Sequence, residues 1–254
     1  MDDIVKKIAT EYDRKVRNDL RISAIQKSAK KGYQKLIAAQ RISTLTGMTT
    51  AEVLLSNLLD LYPDGAIPEE VAKALIVPTL RKNYDFVSPI AESAHTAILE
   101  DAGIGLKPVV PAFDANRAEG IAVELSKAEN VAEHSDLLRN QIINNSINIV
   151  DESTRQNVQT QSRVGLEVRV IRIYDGRGLH YGKTPCEWCI QRVGEWEYRD
   201  ALANGVFERH TGCECDLYYK TVKGDWQHGW QKYGGWDDVS EETIQNRRKY
   251  AKGE

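Results

Sequence analysis

The first 185 residues of this 254-residue chain hold neither cysteine nor tryptophan. Phenylalanine and methionine are scarce throughout, at three and two residues. No apolar run of about 18 residues exists, so no transmembrane helix is predicted. No apolar stretch follows Met1-Asp2-Asp3-Ile4-Val5-Lys6-Lys7, so no signal peptide is expected, and the chain reads as one that folds in a cytoplasm. The phosphate-cradling pattern G-x-x-x-x-G-K-[ST], the dinucleotide pattern G-x-G-x-x-G and the nucleophile pattern G-x-S-x-G are all missing, as are H-x-E and H-E-x-x-H. These absences argue against an enzyme. What remains, 41% hydrophobic and 28% charged residues, excludes a fully disordered chain, a collagen and a disulfide-dense miniprotein.

Charge is small in total and uneven in place. The net value is −3, yet residues 1–47 balance at +6 and residues 48–164 at −8. The basic segment suits nucleic acid, an acidic protein surface or simply a solvated helix face.

Periodicity predicts an α+β protein with a mostly helical N-terminal two-thirds. Residues 2–46 read as helix, with Gly32 as a weak point and Gly47 as a stop. Thr49 and Glu52 fit a capping box opening a second helix that runs to about Leu61. Pro63-Asp64-Gly65 reads as a turn, and Pro68-Glu69-Glu70 opens a third helix expected to stop near Pro78. Helical spacing resumes from about Pro89 to Glu100, ended by Gly103 and Gly105. Lys107 to Phe113 is an extended connector and Asp114 a candidate cap. From about Val131 to Arg163 the pattern is helical again, with a polar tail from Asp151 that either projects or packs on another chain. Gly165 breaks it. Residues 167–174 then alternate as a strand, Asp175-Gly176-Arg177-Gly178 is a turn, and residues 213–221 alternate as a second strand. An aromatic hairpin or loop from Trp226 to Trp236 and a short charged helix close the chain. The predicted division is a helical domain or arm at 1–164 and a small module at 165–254.

All four cysteines fall in that module. Pro185-Cys186-Glu187-Trp188-Cys189 is followed, after 20 residues, by His210-Thr211-Gly212-Cys213-Glu214-Cys215. A C-x2-C turn brings two thiolates to one point, and a second clustered pair completes a tetrahedral zinc site. Cys186, Cys189, His210, Cys213 and Cys215 thus offer five donors for four places. One structural zinc per chain is the expected cofactor, stabilising a region with little core of its own. Two disulfides, a redox pair and a catalytic zinc remain as competing readings, with Glu187, Glu208 and Glu214 as candidate bases for the last. His95 and His134 read as surface or satisfied core histidines, and His180 and His228 as flanking residues. The tryptophans Trp188, Trp196, Trp226, Trp230 and Trp236 read as the minimal core of the metal knot rather than as base-stacking platforms.

Residues 168–219 resemble a known family. Val-Arg-Val-Ile-Arg-Ile-Tyr-Asp-Gly-Arg-Gly-Leu-His, then Pro-Cys-Glu-Trp-Cys, then Val-Phe-Glu-Arg-His-Thr-Gly-Cys-Glu-Cys-Asp-Leu-Tyr-Tyr is similar to the C-terminal region of minor head proteins of tailed bacteriophages, related to the Mu F-like head morphogenesis group. The likeness covers 50–60 residues, and Thr211 departs from the proline more usual after the histidine. It implies a virion protein that joins the head near the portal, with portal, major capsid or scaffold proteins as partners, oligomerisation within the head, and packaged DNA as a further contact. It also implies the virion head as location, after assembly in the host cytoplasm, with no membrane partner. Two other functions stay open: a nucleic-acid-binding zinc module, and a zinc-dependent hydrolase or nuclease.

Overall fold

The computed structural model describes residues 2–63, 65–174, 187–210, 213 and 215–222. A mostly helical region comes first: α1 (Asp2–Asn18), α2 (Leu20–Ser28), α3 (Gly32–Leu61), α4 (Glu69–Asp101), α5 (Ala115–Ser126) and α6 (Ser135–Arg163). A small sheet region follows, with β1 (Val168–Ile173), α7 (Glu187–Ile190), β2 (Gly194–Glu197), α8 (Tyr198–Ala203) and β3 (Asp216–Thr221). Among the described residues no helix is long and apolar enough to cross a membrane. The chain forms two compact units. Unit one holds the described residues up to Lys30, with Ala38–Ser93 and Val110–Val150. Unit two holds Lys31–Ile37, Ala94–Val109 and the described residues from Asp151 onward.

Several helices start and stop elsewhere than their punctuation suggests. The stretch read as helix over 2–46 breaks at Asp19, whose carboxylate accepts from the Arg21 backbone N–H at 2.9 Å and grips the Arg21 guanidinium. Gly47 does not stop α3, and Thr49 is not a cap: its hydroxyl donates back to the Leu45 carbonyl inside the helix. Gly47 is instead a close approach, because a Cβ there would lie 2.8 Å from the Ser146 Cβ of α6. Likewise α4 runs unbroken through Pro78 and Pro89. Each proline costs a helical hydrogen bond. The two are eleven residues apart, about three turns, so they share one stripe. Both are solvent-exposed there, where water reaches the freed carbonyls. The opening of α4 after Pro68 and the cap at Asp114, which accepts from the Arg117 N–H, match expectation.

Unit one is built on an apolar interior, with Leu54 and Leu58 of α3, Leu75 and Ile76 of α4, and Ile142 of α6 fully buried. A hydrogen-bond chain threads through it. The Tyr12 hydroxyl donates to Asn83 Oδ1 at 3.0 Å, Asn83 Nδ2 donates to Ser146 Oγ at 2.8 Å, and that hydroxyl donates to the Ser43 carbonyl at 2.5 Å.

In unit two the polar end of α6 neither projects nor stays exposed. Ser153, Thr154, Asn157 and Gln161 are buried. Asn157 accepts from the Val109 N–H at 3.0 Å and donates to the Val109 carbonyl at 2.6 Å, so the amide replaces a strand partner for the extended connector. Gln161 accepts from Thr221 of β3 at 2.5 Å. At Gly165, with φ +85°, the Leu166 N–H returns to the Gln161 carbonyl and releases the chain into β1.

The sheet is antiparallel with order β2-β1-β3. Val170 faces Trp196 on one side and Tyr219 on the other, and Arg172 faces Gly194 and Leu217. The alternate face carries ion pairs, Arg169 with Glu197 at 3.2 Å and Lys220 with Glu195 at 2.9 Å. β1 and β3 fall where alternation placed them, while α7, β2 and α8 were not anticipated. The turn at 175–178, His180, Cys186, His228 and the closing aromatic and charged segments lie outside the described residues.

Candidate metal centre

Three short pieces of unit two deliver the donors. Cys189 lies on α7, where its carbonyl accepts from both Arg192 and Val193 N–H groups at 3.0 Å. The Cys213 N–H donates to the His210 carbonyl at 3.1 Å. Cys215 immediately precedes β3. The sulfurs of Cys189, Cys213 and Cys215 are buried in one cluster, with Trp188 and Tyr174 against it.

The donor atoms of Cys189, His210 and Cys213 lie within 4.8 Å of one another. Cys189 Sγ is 3.8 Å from Cys213 Sγ. Zn–S bonds of about 2.3 Å at tetrahedral angles put two sulfurs about 3.8 Å apart, so this pair fits a zinc site as it stands. Cys189 Sγ to His210 Nε2 is 2.9 Å, a hydrogen-bonding distance. A tetrahedral edge between sulfur and nitrogen is about 3.5 Å, so binding a metal would require this pair to separate by roughly half an ångström or a little more. The group is able to bind a metal such as zinc. The three described cysteines are free thiols. Of the five expected donors, the structure brings together Cys189, His210 and Cys213, with Cys215 packed beside them. Cys186 lies outside the described residues.

Charge at the centre comes from two arginines. Arg172, 2% exposed, extends from the inward face of β1. It donates to the Val206 and Glu208 carbonyls at 2.7 and 2.6 Å and to Cys213 Sγ at 3.1 Å. Arg209 donates to the Cys215 carbonyl at 2.6 Å, stands 4.0 Å from Cys213 Sγ, and forms a buried ion pair with Asp151 of α6. Burial opposes the Arg209 charge, but the Asp151 carboxylate overrides it and raises the guanidinium above its ordinary range. Hydrogen bonds from the Cys189 and Cys215 thiols, then the Arg209 and Arg172 charges, hold the Cys213 thiol well below the usual range against its burial. Its partner Cys189 is pushed up, chiefly by the hydrogen bond to Cys213. Three thiolates around a divalent cation would carry one excess negative charge, which Arg172 would offset while Arg209 is balanced by Asp151.

Trp188 covers this arrangement. Its ring meets His210 edge-on with centroids 5.2 Å apart and carries Arg192 at 3.8 Å and Arg172 at 5.1 Å. Trp196 is buried in the sheet, its indole N–H donating to the Arg192 carbonyl at 3.2 Å. Of the five tryptophans read as core of the metal knot, Trp188 packs against the cysteines and Trp196 in the sheet, while Trp226, Trp230 and Trp236 lie outside the described residues.

Sequence reasoning missed Asp151, Arg172 and Arg209 as parts of the centre. A signal for one existed: Val168, Val170 and Arg172 share the inward face of a strand, and an arginine there needs an acceptor. His95 is buried, its Nδ1 3.2 Å from the Tyr219 hydroxyl, as a core histidine rather than a ligand. No family model matches this chain, and neither a curated protein nor a solved structure matches it.

Proposed function

We propose that this is an architectural protein whose C-terminal module is stapled by one structural zinc ion, and that it serves as a minor head protein of a tailed bacteriophage. The observation carrying the first half is the convergence of Cys189, His210 and Cys213 in a buried cluster. Cys189, His210 and Cys213 would hold the ion, with Cys215 or Cys186 as the fourth donor. When bound, the ion supplies cross-linking between α7 and the strand entry at β3, in place of apolar core. Burial of all three described sulfurs suits a closed structural site better than a catalytic one, which keeps a position open to substrate. Arg172 offsets the excess charge of the thiolates, and Trp188 shields them from water.

The second half rests on the resemblance of residues 168–219 to minor head proteins. On that reading the partners are portal, major capsid or scaffold proteins within the head, and the chain works without chemistry of its own. Metal analysis of the purified full chain should find about one zinc per molecule, as a single four-donor site requires. Metal-free protein with intact disulfides would remove the staple. Mass spectrometry of particles produced by the genome that encodes the chain should find it in the heads. Its absence from them would remove the head assignment while leaving the staple untouched.

A further inference from the structure

The outward face of α1 holds a feature the metal centre does not use. Ile8, Tyr12 and Val16 mark the buried side of this helix. At about 100° per residue, Lys6, Lys7, Arg14 and Arg17 fall within an arc of about 100° on the opposite side. All four are exposed. None is ion-paired among the described residues, whereas neighbouring Lys15 is held by Glu11 and Glu52, and Arg21 by Asp19. Thr10 is the remaining residue of the arc apart from Asp3, its one carboxylate, which sits in the first turn.

We infer that this stripe binds the phosphate backbone of double-stranded nucleic acid without reading its sequence. The arc contains no apolar or aromatic side chain to form the desolvated centre of a protein interface, and lysine is depleted from such interfaces. Phosphate contact needs only charge and position. Lys6 and Lys7 form one rank and Arg14 and Arg17 a second, about 13 Å further along the axis. A duplex carries a charge every ~1.7 Å of its length, so it meets both ranks in any register. The uneven charge of the chain agrees: the positive excess is confined to residues 1–47, and the next segment is acidic. Four phosphate contacts give a slope of about −3.6 in log affinity against log salt.

The inference does not depend on the zinc staple, and its test keeps the two apart. Fluorescence anisotropy of the full chain with a mixed-sequence duplex of about 30 base pairs should show binding at about 50 mM salt that weakens about 100-fold by about 200 mM. The fourfold variant Lys6→Gln, Lys7→Gln, Arg14→Gln, Arg17→Gln should abolish it with helical circular dichroism unchanged. The smaller pair Lys7→Glu and Arg14→Glu should weaken it at least tenfold, which keeps the test decisive if the fourfold variant folds poorly. Cys213→Ser should leave duplex binding unchanged. The inference is overturned if no binding appears at about 50 mM salt, or if both stripe variants bind like the original chain. Equal binding to polyglutamate would overturn it too, by pointing to general stickiness. So would equal weakening by Lys73→Gln with Lys127→Gln, two lysines away from the stripe that are paired with Glu69 and Glu124.

Discussion

The two units of this protein bury different kinds of polar group. Unit one closes over leucine, isoleucine and valine, with Val53, Leu54, Leu58, Leu75 and Leu80 wholly buried, and the polar side chains buried among them, such as Ser43, Asn57, Asn83 and Ser146, are neutral amides and hydroxyls. Unit two buries His95, Ser153, Asn157, Gln161 and Arg172 beside three cysteines. Apolar burial is non-directional and yields about 25 cal/mol per Å² whatever the neighbour. A buried polar group contributes only with its partner in place, and leaving it unmatched costs about 1–3 kcal/mol. Both units depend on matched polar partners, but those of unit one neither charge near neutral pH nor offer metal donors, so unit one should tolerate changes of pH and metal better than unit two, which buries His95 and the Cys189–His210–Cys213 group.

The largest break in that contrast is metal removal. Structural zinc sites supply apparent free energies of about 10–16 kcal/mol in small domains. Chelation of the full chain should strip amide-exchange protection from β1, β2 and β3 while Val53 to Leu58 of α3 keep theirs. Cys213→Ser should reproduce the effect without chelator. Equal loss of protection in both regions, or in neither, would end the contrast between the two units.

The next effect is the buried pair Asp151–Arg209, with side-chain exposures of 7% and 13%. Asp151→Ala leaves Arg209 buried without its carboxylate, and should cost about 3–5 kcal/mol in chemical denaturation. Asp151→Leu combined with Arg209→Met should recover much of that loss, because an apolar pair removes both desolvation terms. The combined variant should also bind zinc more weakly, having lost one of the two cations that face Cys213. If the double change costs the sum of the single ones, the pair is not a coupled unit.

How much of this was readable in advance follows the range of the interactions. Alternation exposed β1 and β3, and cysteine spacing pointed to Cys189, His210 and Cys213, since those signals are local. The continuity of α3 through Gly47 was hidden because its reason, Ser146, lies 99 positions away in α6. Pro78 and Pro89 looked like stops, because sequence does not say that a shared stripe faces water. The polar end of α6 looked like a surface, since its acceptors and donors at Val109, Arg209 and Thr221 come from distant segments. Strand β2 has four residues and exists through its register with β1, so its own pattern is too short to read.

The smallest effect is a pH dependence confined to unit two. His95 on α4 is fully buried; burial lowers its imidazole from 6.5 to about 3. Its Nδ1 meets the Tyr219 hydroxyl of β3, itself pushed up by burial and therefore neutral, and its Nε2 has no partner among the described residues. The unfolded chain takes up this proton near pH 6.5 and the folded chain only near 3. Stability from the neutral imidazole is thus complete above about pH 6.5 and is lost as pH falls toward 3. Between pH 7 and 5 the loss is about 2 kcal/mol, at 1.36 kcal/mol per pH unit below 6.5. Carboxylates titrate in part of this range, so the measurement is a difference in slope: urea melts at pH 7, 6 and 5 for the original chain and for His95→Phe. The variant should lose the slope even where its absolute stability is lower, since Tyr219 then loses its contact with the imidazole. Unit one's buried Tyr12 is raised by burial and by Asp13, away from this range. Exchange protection of α3 over Val53 to Leu58 should accordingly stay flat over the same pH span, and a matching slope there would assign the acid sensitivity to groups other than His95.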